Sequence, residues 1–124
     1  MTQPVFEITK AATFDAAHHF PNEPEGSIYR RIHGHSFTVE ATVRSEVLDD
    51  AHGWVADLAA LDRALKAAAG ELDHGMLNEK PGLEQPSLEN LCLWFANRLK
   101  PEWPGLSRIQ VARPTINERC VLTL

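Results

Sequence analysis

The stretch Ile28–Phe37, IYRRIHGHSF, holds two histidines one residue apart, His33 and His35, and a phenol, Tyr29, four positions before the first of them. A third histidine, His18, stands in FDAAHHF, residues 14–20. Neutral imidazole suits zinc, and a catalytic zinc takes three protein ligands and keeps a fourth position for water or substrate. Alternate residues of a strand project to one side. His33 and His35 can therefore reach one ion, and His18 can join them from a neighbouring strand. A ligand set without cysteine or carboxylate leaves the ion cationic and a stronger Lewis acid. Farther along, LDHGMLN sets Asp73 beside His74. A carboxylate in that place can orient an imidazole and stabilise its charged form for proton transfer. His19 and His52 read as surface residues outside these groups.

Periodicity supplies the elements that must carry these residues. Residues 5–19 alternate, with Phe6, Ile8, Ala12, Phe14, Ala16 and His18 on the apolar side and Lys10 as the one interruption. That is a half-buried strand with His18 inward and His19 toward the other face. After the loop PNEPEG the alternation resumes at His33, with His35, Phe37, Val39, Ala41 and Val43 inward. Two strands that each aim histidine at the core can build one site. Asp57 reads as the cap of a helix with Leu58, Leu61, Leu65, Ala68 and Leu72 at helical spacing. Pro86 and Ser87 open a second helix through Leu88, Leu91, Phe95 and Leu99, which stops at Pro101. Residues 107–113 and 119–124 read as short strands around the turn PTIN. The order ββααββ predicts an α+β fold, an antiparallel sheet with both helices on one face.

Bulk properties narrow the classes. A chain of 124 residues suits a single domain spanning 1–124. Its net charge of −5 and the lack of any Lys/Arg run argue against nucleic acid as partner. No apolar run approaches the roughly 18 residues of a membrane span, and the amino terminus does not resemble a signal peptide. Cys92 and Cys120, far apart and without a CxxC pattern, read as reduced thiols of a cytoplasmic protein.

Taken together, FDAAHHF, RRIHGHSF, GWVADLAALDRAL, LDHGMLNE and PSLENLCLWFANRL resemble, in content and order, the 6-pyruvoyl-tetrahydropterin synthase and 6-carboxytetrahydropterin synthase family. The resemblance implies a tunnelling fold, with trimers closing a barrel and two trimers stacking into a homohexamer. It implies that His18, His33 and His35 bind zinc, and that a pterin-like small molecule, 7,8-dihydroneopterin triphosphate in the family, is the substrate. The carboxy-forming branch feeds queuosine biosynthesis. In such enzymes an Asp/His pair and a cysteine, from neighbouring subunits, move protons, and Asp73 and His74 match that pair.

Two positions depart from the family pattern. Tyr29 stands where the family has its cysteine, and an unperturbed phenol (pKa about 10) is a weaker acid than a thiol (about 8.5). Tyr29 is then either a tyrosinate base assisted by the metal or a space-filling ring. Arg113 stands where the family has a glutamate that accepts from the pterin ring N–H and amino group, and a guanidinium only donates. Glu118 is the carboxylate close enough to substitute, whereas Arg113 would suit an anionic or acceptor-rich group. Arg30 and Arg31, beside the histidines in sequence, could offset a triphosphate's charge. The expectation is a zinc-dependent pterin lyase with weak or absent turnover of 7,8-dihydroneopterin triphosphate. The alternatives are a diverged homologue with a different reaction and a non-catalytic zinc- and ligand-binding oligomer subunit.

Overall fold

The computed structural model describes residues 3–124. Strand β1 (Phe6–His18) pairs along its whole length with β2 (His33–Ser45), antiparallel, so that Phe14 faces Phe37 and His18 faces His33. Strand β3 (Leu106–Arg113) pairs with β2 and with β4 (Glu118–Thr123), completing an antiparallel sheet in the order β1-β2-β3-β4. A single 3-10 turn, Pro114–Ile116, joins β3 to β4 and leaves Arg113 opposite Glu118. Asn117 closes that turn at φ 59°, a left-handed conformation that asparagine tolerates better than most residues.

Between β2 and β3 run helices α1 (Leu58–Leu72) and α2 (Leu88–Leu99). The Asp57 carboxylate accepts from the Ala59 amide and the Ser87 hydroxyl oxygen from the Asn90 amide, so each helix starts on a side-chain cap. Helix α1 packs on β1, and α2 on β3 and β4. Leu61, Leu65, Ala68 and Leu72 of α1 are buried as their spacing predicts, but Leu58 is 43% exposed. It is the first residue of α1, and the buried stripe of the helix begins at Leu61.

Both helices cover one face of the sheet, where Phe14, Phe37, Val39, Ala41, Ile109 and Val111 form the core. The rings of Phe14 and Phe37 stack at 4.9 Å, and Phe95 of α2 leans on Phe14 at 5.7 Å. Burying a phenylalanine side chain contributes roughly 2–3 kcal/mol, so this cluster anchors the strands just below the histidines. The opposite face carries Glu7, Thr9, Thr13 and Asp15 on β1, all exposed. Cys92 and Cys120 are free thiols, and burial pushes that of Cys92 up to about 12. Among the described residues no helix is long and apolar enough to cross a membrane.

Candidate active site

The three histidines meet where β1 ends and β2 begins. One potential ligand nitrogen from each of His18, His33 and His35 lies within 4.8 Å of the others, and the three rings stand nearly perpendicular to one another. His18 is fully buried, as strand parity predicts. Its Nδ1 donates to the Pro86 carbonyl at 3.2 Å, and the Nδ1 of His33 donates to the Arg31 carbonyl at 2.7 Å. A carbonyl can only accept, so both rings turn their lone pairs out through Nε2. Those two Nε2 atoms lie 3.1 Å apart. Two lone pairs at that separation repel unless a cation stands between them. A backbone carbonyl on the far ring nitrogen is also the usual outer support of a metal-binding histidine.

Burial lowers the pKa of His18 to about 4. Burial, and next the Arg113 charge, lower that of His35. Both rings are therefore neutral at pH 7, the protonation state a metal requires. The donor set fits a divalent ion with room for a further ligand.

Motifs singled out in the sequence also serve as scaffolding. Pro86 of PSLEN holds His18 through its carbonyl, while the next residue, Ser87, caps α2. The Asn78 side chain of LDHGMLN accepts from the His19 amide at 3.1 Å and donates to the His19 carbonyl at 2.8 Å, which clamps the strand directly after His18. His19 is half-buried in consequence, and His52 is exposed.

The triad opens into a cavity of about 650 Å³ that Tyr29, Arg31, Arg113 and Glu118 also line. Tyr29 sits in the short 3-10 turn Ile28–Arg30, 55% exposed, its ring edge-on to Phe20 at 6.1 Å. Arg31 borders the cavity, whereas Arg30 is exposed and does not. The Arg113 Nε lies 3.1 Å from Glu118 Oε1, yet its N–H misses the oxygen and has no hydrogen-bond partner among the described residues. The charge contact holds; a directional bond does not. Glu118 is thereby kept at the cavity wall by the residue it faces across the turn.

Of the Asp73–His74 pair, His74 borders a different cavity, of about 630 Å³, together with Asp15, Gly34 and Ser36; His35 lies on the wall of both. The loop carrying the pair runs beside β1: the Ala17 amide donates to Gly75, the His74 amide to the Asp15 carbonyl, and the Asp15 amide to Asp73 Oδ1. Asp73 Oδ2 accepts from His74 Nδ1 at 2.8 Å. Its hydrogen bonds from the Asp15 amide and from His74 hold the Asp73 carboxyl below the usual range. The same partnership raises His74 above 6.5. The His74 side chain is 82% exposed.

Residues 7–123 match the model of the family described as 6-pyruvoyl tetrahydropterin synthase. The chain belongs to that family. Its relatives include a 6-carboxy-5,6,7,8-tetrahydropterin synthase of Synechocystis, 38% identical over 84% of this chain and 83% of that protein. A dihydroneopterin monophosphate aldolase of Pyrococcus furiosus is 34% identical over 79% of this chain and 78% of the relative. The solved structure of the Caenorhabditis elegans 6-pyruvoyl tetrahydropterin synthase superposes with a TM-score of 0.83 at 20% identity, covering 100% of this chain and 99% of the worm chain. The fold is the tunnelling fold of this family of pterin-metabolism enzymes.

Sequence reasoning passed over several cavity residues. Glu23 and Glu89 are on the wall, and Ile28, Ile32 and Ile116 stand at 68%, 66% and 47% exposure around it. Glu89 lies inside the quoted PSLEN motif, which was the available signal. Glu23 and the isoleucines come from loops and turns that carry no periodicity.

Proposed function

We propose that the protein is a zinc-dependent lyase that breaks a bond in the hydroxylated side chain of a 7,8-dihydropterin. The observation that carries this reading is the convergence of the His18 and His33 Nε2 lone pairs, each fixed from behind by a backbone carbonyl, at one wall of a cavity that also holds a carboxylate. His18, His33 and His35 would hold the ion. Zinc, when bound, supplies Lewis-acid polarisation of a side-chain oxygen.

The remaining roles fall to the chain itself. Glu118 accepts hydrogen bonds from the ring N–H and amino group of the pterin, the function lost with a carboxylate at position 113. Arg113 orients it through the charge contact between the two. Tyr29 exchanges the side-chain proton through its phenol. Asp73 and His74 form a charged proton donor, and the separate cavity that His74 borders favours an acting partner outside their own chain. The working unit is a homo-oligomer in which the pair of one copy serves the metal site of another.

The two reaction names among the relatives, synthase and aldolase, differ in the bond affected, and both relatives belong to pterin chemistry. The test is incubation of zinc-loaded protein with 7,8-dihydroneopterin and its mono- and triphosphates, followed by mass spectrometry of the products. A pterin altered in its side chain is expected from at least one of them. Recovery of all three unchanged would overturn the proposal.

A further inference from the structure

Cys92 and Cys120 take no part in the site described above, and they stand together in the folded chain although 28 positions separate them. Cys92 lies on the buried side of α2, with Leu88, Leu91, Phe95 and Leu99. Cys120 is paired with Val111 across β3 and β4, and Val111 is wholly buried in the core. Directly opposed residues of an antiparallel pair share a face, so the Cys120 side chain points from the sheet toward the helices. The Cys92 thiol donates to the Cys120 carbonyl at 3.5 Å, and the two thiols interact directly. Two cysteines on facing elements with their side chains turned to one another meet the first requirement of a cross-link.

Their neighbours give the pair its meaning. Glu89, one turn before Cys92 on α2, lines the triad's cavity, as does Glu118, two residues before Cys120 on β4. Pro86, just ahead of the same helix, holds His18 through its carbonyl. A bond between the thiols would join two elements that both support the site. We propose that Cys92 and Cys120 form a redox latch, a dithiol that closes reversibly to a disulfide within one chain and stabilises the fold by fastening α2 to β4.

The oxidant is a peroxide, and the two sulfurs have different parts in its reduction. Cys92 is 1% exposed, and burial, followed by the neighbouring Cys120 thiol, pushes its pKa up to about 12. A thiol held in that state is a poor first nucleophile. Cys120 is the less buried of the two and reacts first. Its sulfur attacks one peroxide oxygen, the O–O bond breaks, and a sulfenic acid and one water form. The Cys92 sulfur then attacks the Cys120 sulfur, and the S–O bond breaks. The departing hydroxide takes the Cys92 proton and leaves as a second water. Two thiols have lost two electrons and two protons, and the peroxide has been reduced to water. A small dithiol reopens the bond by exchange.

The test exposes the folded, full-length protein to hydrogen peroxide and follows it by intact mass, peptide mapping without reductant, and thermal unfolding. Each chain should lose two hydrogens. A peptide joining the segments around Cys92 and Cys120 should replace the two free ones, and dithiothreitol should restore both. A cross-link across a loop of this length constrains the unfolded chain, so the closed form should melt higher by on the order of 10 °C. Cys120→Ser and, separately, Cys92→Ala should each abolish the joined peptide and the peroxide-dependent rise in melting temperature. Persistence of both thiols, arrest at an oxidised Cys120 beside a free Cys92, or a disulfide formed only between chains would overturn the proposal. So would a closed form no more heat-resistant than the reduced one.

Discussion

Strand β1 carries His18 on one face and Asp15 on the other, and the two groups assembled around them differ in almost every physical respect. The histidine triad is deep, its central ring fully buried and two of its rings locked by backbone carbonyls. The Asp73–His74 pair stands on a loop beside the same strand with its imidazole 82% exposed. Burial lowers His18 toward the neutral form, whereas Asp73 raises His74 toward the charged form. One region is prepared to accept a cation and the other to deliver a proton. On the proposed reading, a single chain would complete the metal-holding half of the site and present the proton-handling half to a neighbour.

The most severe way to break this comparison is to remove a ligand. His35→Ala should lower bound zinc from one ion per chain by at least about a hundredfold in affinity, since even an outer support is worth 10–100-fold. Its melting temperature without metal should stay close to that of the parent, because His35 is partly exposed. Elemental analysis alongside calorimetry reads both quantities. Retention of full zinc affinity would remove His35 from the site.

Next in size is the loss of the proton donor. His74→Gln should reduce turnover by roughly 10²–10⁴-fold with metal content unchanged. Co-expressing His35→Ala and His74→Gln chains should restore roughly a quarter of the parent rate in random mixed oligomers if each site draws on two copies. No recovery in proven mixed oligomers would place both halves of the site in one chain. Tyr29→Phe should cost about 10²-fold in turnover, again with zinc retained. Undiminished activity would reduce the phenol to a space-filling ring.

The smallest effect is a titration. Because Asp73 favours the imidazolium, His74 should lose its proton above pH 6.5, and Asp73→Asn should move that midpoint down. Proton NMR of the ring resonances reads the direction. A midpoint at or below 6.5 in the parent would mean that the 2.8 Å contact does not persist in solution.

Much of this was legible in the amino-acid order because the governing physics is local. Strict alternation set which histidines face inward, and Asp57 and Ser87 mark both helix starts as caps. The Arg113–Glu118 contact was less accessible, since it depends on the turn Pro114–Asn117 placing those two residues opposite each other. The direction of His74 depends on its left-handed backbone, φ 59°, and on a loop held beside β1 by long-range hydrogen bonds. Glu23 and the exposed isoleucines reach the cavity through irregular segments, where no period exists to read.

X-ray absorption at the zinc edge on protein loaded with one equivalent tests the central claim most directly. The account predicts three nitrogen neighbours at about 2.0–2.1 Å with oxygen completing the shell, and loss of this signature in His35→Ala. A sulfur neighbour, a shell made only of oxygen, or an unchanged spectrum in the variant would contradict it.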